Sequence, residues 1–140
     1  MTNSLEFQRF EEAESQEWRS RWPSFSPAEL ACKHCNRLIV NPEALDLLQR
    51  ARARYGNKIR IASAYRCPEH PIEAAKPDGP GPHSRGTAFD AYPVAPGGEP
   101  RFAWIKACLF VGFWGFGMGA EKLHFDHDEL LGQRAWFYGK

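Results

Sequence analysis

Excess charge of either sign is missing from this 140-residue sequence: 18 lysines and arginines stand against 17 acids, a formal charge of +1. A phosphate-rich partner is held by clustered basic residues, so this balance argues for no nucleic acid and no membrane among the expected partners. Long apolar runs are missing too. The longest uncharged stretch, Ala107 to Ala120, holds 14 residues with four glycines, whereas a bilayer crossing takes about 18 or more. It reads as the end of a buried helix followed by a turn. The N-terminus has no apolar leader, because Glu6, Glu11, Glu12, Glu14 and Glu17 crowd it; synthesis in a cytoplasm without a signal peptide is the expectation. Cysteine is scarce, with only Cys32, Cys35, Cys67 and Cys108. Without a secretory signal, disulfides are not expected, and Cys32-x-x-Cys35 lacks the second pair that a four-ligand structural zinc site usually has. The thiols therefore read as packing residues, with a small structural cluster of Cys32, Cys35 and Cys67 as the alternative.

What the sequence does contain is enough for one core. At 43% hydrophobic and 14% aromatic residues, the chain fits a single domain and is too short to divide comfortably. Residues 1–21 read as a polar helical arm with Leu5, Phe7, Phe10 and Trp18 free to dock, and residues 22–140 as the domain proper. Ser26-Pro27-Ala28-Glu29 is a capping box that starts a short helix. A longer helix begins at Asn41-Pro42-Glu43, carries Leu45, Leu48, Ala51 and Tyr55 on one face, and stops at Gly56. Ile59–Ser63 and Thr87–Val94 alternate like strands. Eight of the eleven prolines fall between Pro68 and Pro100, which predicts a stiff irregular loop around the second strand. Phe102, Ile105, Leu109 and Phe113 suggest a buried helix, and Leu123–Asp126 a final strand.

The chemistry gathers on three segments. His83 precedes Asp90 by a glycine-containing turn and half a strand, so the loop histidine can fold back toward the acid. Asp90 shares its strand face with Ala88 and Tyr92. A carboxylate there needs a cation, supplied either by a metal or by Arg66 or Arg85. His124 lies on a different strand, on the face that also carries Asp126, and Glu121 precedes it by three residues. Two imidazoles and one carboxylate leave an open position on a tetrahedral zinc, as catalytic sites do, and an acid that does not bind the metal can take a proton from water. On that reading His83, Asp90 and His124 are the ligands and Glu121 is the base. His127 points to the face opposite His124, and His34 reads as structural or exposed.

Ser63-Ala64-Tyr65-Arg66-Cys67-Pro68-Glu69-His70, then His83-x-x-Gly86-x-Ala88-x-Asp90, then Glu121-x-x-His124-x-Asp126 resemble, in order and separation, the zinc D-alanyl-D-alanine carboxypeptidases of the M15 peptidase family. Phe25–Cys32 and Asn41–Leu45 also look like the N-terminal half of its short phage and bacterial members. The likeness covers roughly residues 22–128 and departs from the family pattern at Pro71, Gly81 and Pro82. It implies an α+β domain with a small antiparallel sheet and flanking helices, similar to the zinc domain of Hedgehog proteins. It also implies one zinc ion on His83, Asp90 and His124, with Glu121 as base, Arg66 steadying the oxyanion, and Arg66, Ser84, His70 and Asp126 at the substrate. The substrate so implied is a peptidoglycan stem peptide, cut at a terminal D-Ala-D-Ala bond or an internal bond of the L-Ala-D-Glu type. Action at the cell wall or periplasm follows, by release during phage lysis, by export without the usual signal, or from a phage particle docked through the N-terminal arm. The alternative is a zinc-containing module that anchors or binds the wall without cutting it.

Overall fold

Local capping starts the helices. Ser15 accepts from the Trp18 N–H and opens α1 (Gln16–Arg21). Ser26 and Glu29 close the expected capping box on α2 (Pro27–Leu30), each accepting from the other's backbone N–H. Asn41 accepts from the Ala44 N–H at 3.0 Å to open α3 (Pro42–Tyr55), and Gly56 ends it in the left-handed conformation. Leu45, Leu48 and Ala51 are buried on one face of α3, as their spacing predicts. A short α4 (Pro71–Ala74) sits in the proline-rich segment, and α5 (Gly98–Val111) follows it.

The computed structural model describes residues 3–138. A two-stranded ribbon pairs β1 (Leu5–Phe7) with β2 (Leu38–Val40). The main sheet has five strands in the spatial order β3 (Ile59–Ser63), β4 (Ala88–Pro93), β6 (Leu123–Asp126), β5 (Gly115–Met118) and β7 (Arg134–Phe137). Neighbours are antiparallel except β5 and β7. The chain therefore has the expected mixed α+β architecture with a small antiparallel sheet. α3 packs on α5, and α5 packs on β4. Phe89 lies across from Phe125 and Asp90 across from His124. Since side chains alternate along a strand, Phe89, Ala91, Leu123 and Phe125 join Trp104 and Phe113 in the core. Asp90, His124 and Asp126 share the opposite face.

Several sequence expectations need correction. Residues 3–21 are not one helix: strand β1, a single 3-10 turn at Phe10–Ala13, and α1 follow in succession, and three periods in a row leave no clean stripe. Leu5 is exposed, but the other apolar side chains of this segment are not free to dock. Ala13, Trp18 and Trp22 are buried in the common core, Phe7 and Phe10 pack against it, and Trp18 Nε1 donates to the Phe25 carbonyl at 2.7 Å. In α5 the buried residues are Trp104, Ala107 and Cys108, whereas Phe102 and Leu109 are exposed. That helix is apolar nearly all round, so spacing alone does not select its inner face. The run after Val111 is not merely a helix end and turn, because Gly115–Met118 forms β5, and Leu123–Asp126 is not the last strand. Among the described residues, no helix is long and apolar enough to cross a membrane.

Candidate metal centre

The loop that carries His83 is held by a glycine. Gly86 ends a 3-10 turn, Pro82–Arg85, at φ +74°, and a Cβ there would lie 2.7 Å from the Ile39 carbonyl oxygen. Only glycine fits that left-handed approach to β2. The turn lays His83 against β4. His83 Nδ1 donates to the Ala64 carbonyl at 2.6 Å, which leaves Nε2 unprotonated and 3.2 Å from Asp90 Oδ1. On β6, His124 Nε2 donates to Asp126 Oδ2 at 2.6 Å, and its Nδ1 lies 3.0 Å from the same Asp90 oxygen. All four side chains are buried. Donor atoms of His83, Asp90 and His124 lie within 4.8 Å of one another.

This donor set fits a zinc ion. Each imidazole has one nitrogen committed to an acceptor, so its other nitrogen offers a lone pair toward Asp90, the tautomer that metal-binding histidines take when a carbonyl or carboxylate orients them. Two lone pairs facing a carboxylate repel one another unless a cation sits between them. The guanidinium alternatives for Asp90 do not operate: Arg66 lies against Glu73, with Nε 2.9 Å from Oε2, and Arg85 pairs with Asp128 at 2.7 Å. Among the described residues, no lysine or arginine makes an ion pair with Asp90. Burial would raise the Asp90 pKa, but the neighbouring His124 and His83 more than offset it and hold the carboxyl well below the usual carboxylate range. Burial lowers the His83 pKa and keeps it neutral. At His124 burial also acts downward, but Asp126 and Asp90 outweigh it and raise the pKa, so a metal would take Nδ1 in competition with a proton.

The other residues expected at the site divide into those in the cleft and those beneath it. A cavity of about 230 Å³ is lined by Arg66, His70, Lys122 and Asp90, so Arg66 and His70 stand where a substrate could reach them. Ser84 is not in this cavity. Its hydroxyl donates to the Arg66 carbonyl at 2.6 Å, and it lines a separate groove with Arg85 and Asp128. Asp126 has no exposed surface, and both its oxygens are taken by Arg134 and His124, so it orients His124 and does not contact substrate. Glu121 is exposed in the turn between β5 and β6 and lines a neighbouring cavity with Tyr92, Arg101 and Lys122. His127 leaves the site face as expected and packs against Trp114, with ring centroids 4.0 Å apart.

Sequence reasoning missed β7 and with it one wall of the site. Arg134 reaches over β5 to hold Asp126 at 3.1 and 2.9 Å, Trp136 packs on His124 with ring centroids 5.2 Å apart, and Tyr138 packs on Trp136. Burial, reinforced by the Asp90 charge, pushes the Tyr138 phenol up to about 12, so at neutral pH it remains a donor. Gly115 and Gly117 make this possible. A Cβ at Gly115 would lie 2.6 Å from the Arg134 guanidinium, and one at Gly117 2.6 Å from the Trp136 ring. Alternating glycines in a strand mark such close approaches, and this was the available signal. Glu73 was missed as well: fully buried in α4, it takes Arg66, Lys76 and the Gly81 N–H at 2.8 Å, anchoring both the cleft arginine and the loop before His83.

The model of the peptidase M15 family matches residues 23–126. This chain belongs to the peptidase M15 family. The matched segment contains His83, Asp90, Glu121, His124 and Asp126, which places the converging donors inside a metallopeptidase domain of a zinc-dependent family. Arg134, Trp136 and Tyr138 lie beyond the matched residues. Neither a curated protein nor a solved structure matches the chain.

Proposed function

We propose that this chain is a zinc peptidase that hydrolyses a peptide bond in the stem peptides of bacterial peptidoglycan, at a terminal D-Ala-D-Ala bond or an internal L-Ala-D-Glu-type bond, as part of cell-wall lysis. The observation that carries this reading is the convergence of His83 Nε2, His124 Nδ1 and Asp90 Oδ1 beside a cleft that also holds Arg66. Family membership supports the peptidase chemistry.

A zinc ion held by His83, Asp90 and His124 would polarise the scissile carbonyl and acidify water. The chain's own groups do the rest. Asp126, steadied by Arg134, keeps the proton of His124 on Nε2. Arg66 supplies positive charge for the oxyanion that develops at the substrate carbonyl. Glu121, on the turn that leads into the His124 strand, is the proposed base: it takes a proton from water and returns it to the departing amine. His70 and Lys122 on the cleft walls meet the substrate's polar groups.

The test is mass spectrometry of soluble fragments released from purified sacculi, with zinc content measured in parallel. Wild type should release D-alanine or stem fragments. Glu121→Gln should keep its zinc and lose about 10²–10⁴-fold in rate, the usual scale for a general base. A wild-type protein that binds sacculi and releases nothing would instead be a wall-binding module. Full activity in the Glu121 variant would move the base elsewhere.

A further inference from the structure

Three of the four cysteines come together, the grouping that the sequence offered as the alternative to packing thiols. Sulfur atoms of Cys32, Cys35 and Cys67 lie within 4.8 Å of one another, and each is a free thiol. The backbone around them is tightly folded. Residues 32–37 form a tight knuckle, with the Asn36 N–H donating to the Cys32 carbonyl at 2.8 Å and the Cys32 N–H to the Arg37 carbonyl at 2.8 Å. Asn36 is the one non-glycine residue with positive φ, +64°, among the described residues. The Cys67 N–H donates to Cys32 Sγ at 3.3 Å, which ties the knuckle to the segment that carries Cys67. An N–H aimed at sulfur favours the thiolate, the form that binds metal. His34 Nδ1 lies 3.5 Å from Cys67 Sγ, and the His70 ring lies 6.0 Å from that of His34. Cys108, by contrast, is buried alone among apolar neighbours on α5 and behaves as an ordinary core residue.

We infer that Cys32, Cys35 and Cys67, with His34 as the fourth donor, form a second, structural site for zinc or a similarly thiophilic divalent cation. Three thiolates and one imidazole make the closed tetrahedral set of structural zinc, unlike the open set of His83, Asp90 and His124. Binding converts three thiols to thiolates and releases their protons to solvent. The site joins the 32–37 knuckle to the segment that carries Arg66, next to Cys67 in sequence. Lys33, Arg66 and His70 together line the cleft. The ion would thus clamp one wall of the cleft around the cleft arginine, at a distance from the chemistry itself.

Metal analysis of the full chain tests this separately from the proposed activity. Wild type should carry two zinc equivalents. His124→Ala should retain one of them, and loaded with cobalt(II) it should show thiolate-to-cobalt charge-transfer absorption. Cys35→Ser should also fall to one equivalent. Where that variant fails to fold, thiol titration of wild type decides: three of the four thiols should react only after chelation. His34→Ala should weaken the thiolate-bound cobalt at least tenfold. A single zinc that disappears in His124→Ala, a cobalt spectrum without charge transfer, or an intact mass showing a disulfide within the cluster would overturn the site. Loss on His70→Ala and not on His34→Ala would overturn the assignment of the fourth donor. None of these readings depends on whether peptidoglycan is cut.

Discussion

Replacing Asp126 by asparagine isolates the support beneath the metal centre. The substitution keeps size and shape but removes the charge that accepts from His124 Nε2 at 2.6 Å and from both arms of Arg134. His124 loses the partner that fixes its Nε2–H tautomer, so its Nδ1 lone pair faces Asp90 for only part of the time. Changes of this kind one step behind a ligand cost about 10–100-fold in metal affinity, or roughly 1.4–2.7 kcal/mol. The full value is expected here, because Asp126 is buried and water cannot replace it. Hydrolysis measured against buffered free zinc should therefore reach its midpoint at about 10–100-fold higher zinc in Asp126→Asn, with the circular dichroism spectrum of wild type. A midpoint within twofold of wild type would refute the reasoning, since Asp126 would then contribute nothing through His124.

Other perturbations probe the frame that positions these residues. Trp104→Ala removes a fully buried indole whose Nε1 donates to the Ala91 carbonyl at 3.0 Å, on the strand that carries Asp90; urea unfolding should show a loss of about 3–5 kcal/mol. Gly86→Ala forces a side chain into left-handed backbone against the Ile39 carbonyl, so both thermal stability and zinc retention should fall, whereas Gly56→Ala, with open space around it, should affect stability alone. Burial raises the Asp128 pKa, but the hydrogen bonds from Arg85 and Thr87 outweigh this and leave it lowered. Its stabilising contribution is therefore complete above the unfolded value of about 3.9 and is lost as pH falls through the lower folded value. Unfolding free energy measured down through this acid range should drop in wild type and drop less in Asp128→Asn.

The chain shows clearly which parts of a site a sequence reveals. α3 was legible because capping residue, apolar stripe and terminal glycine agree. The convergence of His83, Asp90 and His124 was legible because a buried carboxylate on an alternating strand demands a cation, and two histidines of metal-binding type lie at workable separations. β7 was not legible: Arg134–Phe137 is short, half exposed and lacks an alternating apolar pattern, and its role rests on the close approach of its side chains to Gly115 and Gly117. The surroundings of Asp126 and Ser84 were not legible for a related reason: Asp126 is buried between His124 and Arg134, and Ser84 donates to the Arg66 carbonyl. Residue type and proximity in sequence place a polar group near a site, but only packing decides whether it faces the substrate or holds another residue in place. The thiol cluster needed the fold to bring Cys67 beside the knuckle at Cys32 and Cys35.

A crystal of the zinc-loaded chain with anomalous data at the zinc absorption edge tests the central claim most directly. The account predicts an anomalous peak about 2.0–2.2 Å from His83 Nε2, His124 Nδ1 and an Asp90 oxygen. A zinc-replete crystal with no peak among these three residues would contradict it.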